Sequence, residues 1–455
     1  MRRSTIASVP RHRSPDDQQR PALLWVAHQA PLPADDGGRQ RSLALLHGLA
    51  GRFAVTIAVL QGGMPSPARG PGEYLPGVEW LDLTGGRTAQ LASVPLLAAT
   101  RRPPVLRHFS QPRQRRELRA LLLSGRFCAV VADTPYATGA LPGREPGALA
   151  DAAACPYAAA SGDAARSRGG ARIPLIVNTH NVEREVWRTM PADMAGGRLR
   201  LALDRLLVGD WERRALDEAD GVAFCAQRDL DALAPRLRAG VRSAVVPNAV
   251  DTDRLRPLAP PERATAALFV GGLLYAPNAE AARFITERLA LLLAARGLTA
   301  VIAGGEGADA PGVRFAGRPD DLTSLYGEAF ATLVPIFSGS GTRLKVLESL
   351  AYGRPLVASA KAVEGLALEP DVHYLPAEDE AAFAAQLGRL AGDPALALEL
   401  AARGRAVVEA QYSWAAAGAA FLELLAGCGV SVPTRPTPAP ARATPAPAAV
   451  PQRQV

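Results

Sequence analysis

The chain has 455 residues, 48% hydrophobic and 21% charged. That is an ordinary globular composition with room for two or three domains, and it excludes a collagen-like, wholly disordered or disulfide-stapled protein. Aromatics make up only 5%, a poor provision for stacking on single-stranded nucleic acid. The net charge of +7 sits on the ends: residues 1–20 hold five arginines against Asp16 and Asp17, and residues 431–455 hold three arginines and no acid. The body is near neutral, which argues against a nucleic-acid partner. Cys128, Cys155, Cys225 and Cys428 lie far apart with no CxxC pair, so no metal-ligand spacing or disulfide framework is expected and a reducing compartment fits.

In chain order, residues 1–20 are polar, have no apolar leader and read as a disordered tail. ALLWVAH (22–28) is a buried strand. A loop carrying Gly37 and Gly38 follows, then a helix over RSLALLHGLAGR and a strand at 55–60. Strand, glycine loop, helix, strand is a βαβ unit, so a parallel sheet is expected. Further strands are read at 128–133, 174–179, 221–226 and 243–247, with an amphipathic helix over 198–220. Residues 143–172, rich in Ala, Gly and Arg, interrupt the pattern and read as a low-complexity insertion. A Pro-rich, charged stretch at 251–265 marks a boundary, giving a first domain over 21–255. The alternation restarts over 262–400: strands at 266–272, 298–305, 313–317, 330–336 and 355–359, with helices at 278–297 and 341–353. A helix within 401–428 is expected to cross back to the first domain, and 431–455 reads as a Pro/Ala-rich disordered tail. No run of about 18 apolar residues occurs. The expectation is therefore a cytoplasmic chain, with any membrane contact peripheral, at the inner face.

The most informative segment is FSGSGTRLKVLESLAYGRPLVAS (337–359). A strand ends at Ile336, and a loop with Ser340, Gly341 and Thr342 opens a helix. Free N–H groups and the positive end of the helix dipole converge there on any anion, and glycine lets the backbone come close. Arg343 and Lys345 add charge, Lys345 being one of only two lysines with Lys361. Glu348, further along, could accept bonds from ribose hydroxyls. Together these describe a nucleotide-diphosphate site. Spacing alone leaves a capped helix with solvated cations as an equal reading. The loop is neither a P-loop nor a GxGxxG fingerprint.

Several stretches in order carry a family resemblance: VVPNAVDTDRL (245–255), FVGGLLYAPNAEA (269–281), VIAGG (301–305), FAGRPDDLTSLYGEAFATLVPI (315–336) and SGSGTRLKVLESLAYGRPLVASAKAVEGL (338–366). The chain resembles the retaining GT-B glycosyltransferases of family 4 over roughly 22–427. NTHNVE (178–183) and the DDGGRQRS loop (35–42) look like the branch that makes exopolysaccharide. The resemblance implies an α/β fold of two Rossmann-like parallel-sheet domains facing a cleft. It implies a nucleotide-sugar donor held by the second domain and a saccharide or lipid-linked acceptor, with no cofactor and no metal. Arg343 and Lys345 would contact the diphosphate with the Gly341 and Thr342 backbone, and Glu348 the ribose. The family's first Glu position falls on Ser340, and Glu364 is the nearest candidate to replace it. No Arg or Lys follows Gly271 and Gly272, where many relatives carry a phosphate-binding cation. A nucleotide-sugar epimerase of the same fold and a catalytically silent binding subunit stay open as alternatives.

In the first domain, His180 follows the strand PLIVNT and sits at the carboxyl edge of the sheet, where ligands bind in such folds. A neutral imidazole there could hold the transferred sugar; a histidine satisfied by backbone is the plainer alternative. Asn181 and Glu183 are weaker candidates that could simply cap the next helix. The Gly37–Gly38 loop is read as approaching donor phosphates and acceptor, at parity with an ordinary turn. Asp133, Thr134 and Tyr136 end a strand at the same edge, while Trp211, Glu212 and Trp414 read as structural.

Overall fold

Two all-parallel sheets, each flanked by helices, make up the protein in a computed structural model that describes residues 20–34, 36–62, 75–86, 100–142, 172–190, 197–319, 321–339 and 343–434. The expected insertion at 143–171, the tails at 1–19 and 435–455, and residues 340–342 lie outside the described residues.

The first lobe runs β1 (Ala22–Ala27), α1 (Gly37–Ala50), β2 (Ala54–Val59), β3 (Glu79–Asp82), α2 (Pro112–Leu123), β4 (Phe127–Asp133), β5 (Leu175–Asn178), α3 (Glu183–Thr189), α4 (Arg198–Asp217), β6 (Gly221–Phe224), α5 (Gln227–Leu233) and β7 (Arg242–Val245). Its seven strands are ordered β3-β2-β1-β4-β5-β6-β7. The central strands are near-continuous apolar runs because helices cover both faces. The second lobe runs β8 (Ala266–Val270), α6 (Ala276–Phe284), a π-turn (Ile285–Leu289), α7 (Ala290–Ala294), β9 (Thr299–Ala303), β10 (Val313–Phe315), α8 (Thr323–Glu328), β11 (Ala329–Val334), α9 (Leu344–Ala351), β12 (Leu356–Ala358), β13 (Leu375–Pro376), α10 (Glu380–Gly392), α11 (Pro394–Gln411) and α12 (Trp414–Gly427). Its order is β10-β9-β8-β11-β12-β13.

In each lobe the connections change direction at one point, between β1 and β4 and between β8 and β11. A crevice opens at the carboxyl ends of strands where the order reverses, so these two points set the candidate site. The helix after β11 starts at Leu344, with Arg343 as its N-terminal boundary residue, not at position 341. The helix expected over 278–297 is broken by the π-turn. Two strands escape the sequence reading. EWLD (β3) is a short edge strand with charged ends, paired parallel with β2, and β13 spans two residues.

The chain returns to the first lobe in α12. Ala417, Phe421 and Leu425 join the core of Trp25, Leu45 and Leu49. The backbones come close enough that a Cβ on Gly48 would stand 3.0 Å from the Cα of Gly418. Trp414 packs on His47, ring centroids 5.2 Å apart. The outgoing and returning connections are strapped together: Val250 N–H bonds Tyr412 O at 2.8 Å, and Trp414 N–H bonds Val250 O at 3.0 Å.

At the β8 and β9 ends, Gly304 has φ +118° and a Cβ there would lie 2.3 Å from Gly271 O. Gly304→Ala should therefore cost on the order of 2 kcal/mol, read from chemical denaturation. A change below about 0.5 kcal/mol would contradict the close approach.

Candidate functional site

The second lobe contributes a cation cluster. Lys345, in the first turn of α9, extends beneath the β8–α6 loop and donates to Asn278 Oδ1 at 2.6 Å. Asn278 in turn donates to Gly272 O at 3.0 Å, so the loop itself aims the lysine. The ammonium stands 4.5 Å from the centre of the Phe269 ring, a cation–π contact. A Cβ on Gly271 would lie 2.6 Å from Nζ, so glycine is what lets the lysine reach under the loop. No Arg or Lys follows Gly271–Gly272 in the sequence, and in the fold Lys345 Nζ stands beside Gly271. Burial, then the neighbouring Arg343, lowers the Lys345 pKa to about 7. Arg343 is buried, donates to Ser338 O at 3.1 Å, and is likewise lowered by burial. Gly272 faces open space. Ser340, Gly341 and Thr342 lie outside the described residues.

The first lobe contributes a fixed anion. Asp133 ends β4, fully buried. It accepts from His180 Nε2 at 2.8 Å, Asn178 Nδ2 at 2.8 Å and Ser42 Oγ at 2.7 Å. Burial opposes its ionisation, but His180 and the other donors win, and its pKa falls to about 2. An ionised carboxylate only accepts, so His180 carries its proton on Nε2. Its Nδ1 lies over the first turn of α1, 2.8 Å from where a Cβ on Gly38 would stand. His28, just past β1, donates through Nδ1 to the Asp133 carbonyl at 3.1 Å and packs edge-on against His180, centroids 5.4 Å apart. Burial holds His28 neutral, with a pKa of about 4. Among the described residues, no group of His, Cys, Asp and Glu is arranged to hold a metal ion.

Arg41, buried in α1, locks this edge to the lobe connection. It donates to Asn178 Oδ1 at 3.0 Å, Val246 O at 2.6 Å and Asn248 Oδ1 at 3.2 Å. Glu212 accepts from the backbone N–H of Glu183 at 2.7 Å and caps α3, a structural role. Glu183 is itself buried and raised to about 8 by burial, receiving the Tyr136 hydroxyl at 2.6 Å. Asn181 is half-buried at the same strand end.

The lobes meet at this point. A Cβ on Gly37, at the start of α1, would stand 3.5 Å from Leu344 Cδ1, at the start of α9. Gln40 of α1 also lies close enough to Glu348 of α9 to act on it: the Glu348 pKa is raised by burial, with Lys345 and then Gln40 opposing the rise. The amino termini of α1 and α9 therefore meet at the boundary between the lobes, with Arg343 and Lys345 beside the contact. Glu364 pairs with Lys361 at 2.6 Å and, across the gap, with Arg228 at 3.4 Å. Its carboxylate is engaged by two cations. Next to the lobe connection a cavity of about 330 Å³ is lined by Cys225, Pro247, Asn248, Leu366 and Tyr412, among others.

Sequence reading missed His28, Arg41, Gln40 and Asn278. His28 carried a visible signal, since it ends an apolar strand as His180 does.

Solved structures share this architecture. A sucrose-phosphate synthase from Thermosynechococcus elongatus is 16% identical, aligned over 90% of this chain and 98% of that one, with a TM-score of 0.56. HepE of Anabaena, solved with UDP, is 14% identical over 89% and 99%, with a TM-score of 0.56. A glycosyltransferase from Rickettsia africae is 11% identical over 90% and 99%, with a TM-score of 0.55. With the two parallel sheets, they establish the GT-B fold expected from the sequence. Residues 264–393 match the family model described as Glycosyl transferases group 1, which supports a glycosyltransferase. No curated protein matches the chain by sequence.

Two outcomes check the first-lobe geometry. Asp133→Ala strands three buried donors and should cost about 3 kcal/mol in denaturant unfolding. The carboxyl pKa is depressed, so the wild-type advantage should be complete above the ordinary carboxylate range and vanish as pH falls through about 2. Gly38→Ala should displace His180, visible as a shifted imidazole resonance in NMR; an unmoved His180 signal would contradict the contact.

Proposed function

We propose that the protein transfers a sugar from a nucleotide-diphosphate sugar to a saccharide or lipid-linked acceptor in cell-surface or exopolysaccharide assembly, with retention of configuration, as a family 4 enzyme. The observation that carries this reading is the meeting of two helix amino termini at the lobe boundary with Arg343 and Lys345 beside them. Such a place favours an anion. The structures of HepE with UDP and with UDP-glucose support a nucleotide-sugar donor.

In this reading the diphosphate lies between α1 and α9, and Glu348 accepts from the ribose hydroxyls. The bond from the anomeric carbon to the diphosphate oxygen breaks, and the negative charge left on that oxygen is met by Lys345, Arg343 and the helix dipole. The acceptor oxygen bonds the same carbon on the same face, and its proton passes to the departing diphosphate. His180, aimed by Asp133, orients the transferred sugar. The cations carry the leaving group without a metal. Ser340, Gly341, Thr342 and Gly272 are donor-binding residues in this reading.

A second reading, a silent nucleotide-sugar-binding subunit, draws on Ser340 at the family's Glu position and on the engaged state of Glu364. Donor binding with no turnover on any acceptor, and no hydrolysis, would favour it. Reaction of the nucleotide sugar without acceptor would instead favour an epimerase.

Lys345→Ala should lower kcat about 100-fold or more with an unchanged melting temperature; unchanged kinetics would overturn the phosphate assignment. The pKa of Lys345 near 7 also sets a pH dependence. A bound diphosphate stabilises the ammonium and raises that pKa, so binding at pH 8 should take up a proton, and affinity should be full below pH 7 and fall above it. Calorimetry in buffers of different ionisation enthalpy measures this; no proton uptake at pH 8 would contradict it.

A further inference from the structure

The α4 helix buries Leu201, Asp204, Val208, Glu212, Ala215 and Leu216. Leu199, Leu203 and Leu206 fall four and three residues apart, which places them in one stripe on the opposite side. They are 78%, 41% and 72% exposed. One exposed leucine is ordinary, whereas a leucine stripe on the outward face of a helix that otherwise covers a sheet is not.

The surroundings of the stripe are cationic. Residues 100–119, which lead into and begin α2, hold seven arginines and one acid, Glu117. Arg113 and Arg116 share that glutamate, and Arg116 remains 77% exposed. The segment is tied to α4 through Val105 N–H, which bonds Asp204 Oδ1 at 2.9 Å. The positive groups crowd one another. Burial and then Arg107 lower the pKa of Arg200, and burial and then Arg115 lower that of Arg102. His108 is held neutral, at about 4, by burial and by Arg107 and Arg200. Helices that connect parallel strands run antiparallel to them, so the starts of α2 and α4 lie at the carboxyl edge of the first sheet, the edge that carries His180.

We infer that this face, the leucine stripe of α4 with the arginines at the start of α2, docks the protein on an anionic lipid bilayer. Leucines enter the headgroup boundary while arginines meet lipid phosphates, the pattern of an interfacial helix. Contact is peripheral, since among the described residues no helix is long and apolar enough to cross a membrane. Charge decides against the other occupants. A second copy of the chain would set arginine against arginine across a two-fold interface, and a nucleic acid would leave the leucines in water. Docked in this way, the cleft edge of the first lobe lies near the lipid surface, where a lipid-linked acceptor would be presented. The docking itself does not depend on the sugar-transfer reading.

Sedimentation of the full chain with vesicles tests the inference. The wild type should bind vesicles of phosphatidylglycerol and phosphatidylcholine and not phosphatidylcholine alone. Leu199→Asp/Leu203→Asp/Leu206→Asp and, separately, Arg113→Glu/Arg116→Glu should each weaken binding about tenfold or more. Both should keep the wild-type melting temperature and its shift with nucleoside diphosphate, so a failure of the cleft assignment reads out separately. If the triple variant does not fold, Leu199→Asp and the arginine pair carry the test. Wild-type binding by these variants, as docking through the basic termini would give, overturns the inference. So does equal binding to neutral vesicles, or a dimer that the leucine substitutions dissociate in the absence of vesicle binding.

Discussion

Placing Arg343 and Lys345 side by side at a half-buried helix start is an electrostatic cost with no evident return to the fold. Desolvation depresses both cations, and Arg343 depresses Lys345 further, while the dipole of α9 adds positive potential. Among the described residues Lys345 is satisfied by an amide oxygen and an aromatic face, not by a carboxylate. A fold under no functional constraint would let Lys345 reach water or pair with an acid. The β8–α6 loop instead holds the lysine inward through Asn278, with Gly271 left bare to admit it. On the proposed reading the arrangement becomes favourable when an anion binds, and the amino terminus of α1 meets this place from the other lobe.

The opposite wall uses the reverse device. Asp133 is an ionised carboxylate sealed under three donors, and it fixes His180 in one tautomer while its own carbonyl orients His28. Rigidity here comes from connected polar groups. Arg41 extends the network to the lobe connection, so the first-lobe wall is tied to the segment about which the lobes would move. On the proposed reading, the positive wall would meet a charged leaving group and the wall that aims two imidazoles would meet the sugar.

Much of this was legible because it is local. Alternating apolar runs and glycine loops point to the two parallel sheets, which the structure shows. Asp133 was visible as a strand-end residue. Its three donors come from positions 42, 178 and 180, and no spacing rule joins them. Arg41, Gln40 and Asn278 act through partners more than 60 residues away in sequence, beyond any local pattern. The helix start was read at 341 because glycine and threonine suit an opening turn, whereas its first helical residue is Leu344. β3 was missed because Glu79 and Asp82 leave it no apolar run, and only pairing with β2 makes it a strand.

The central claim is that the gap between α1 and α9 is built for a diphosphate. A crystal structure with a bound nucleoside diphosphate tests it most directly. The account predicts the terminal phosphate within hydrogen-bond distance of Lys345 Nζ, Arg343 beside it, and the Glu348 carboxylate on the ribose. Phosphates seated elsewhere, with the Lys345–Asn278 bond undisturbed and the gap empty, would contradict it.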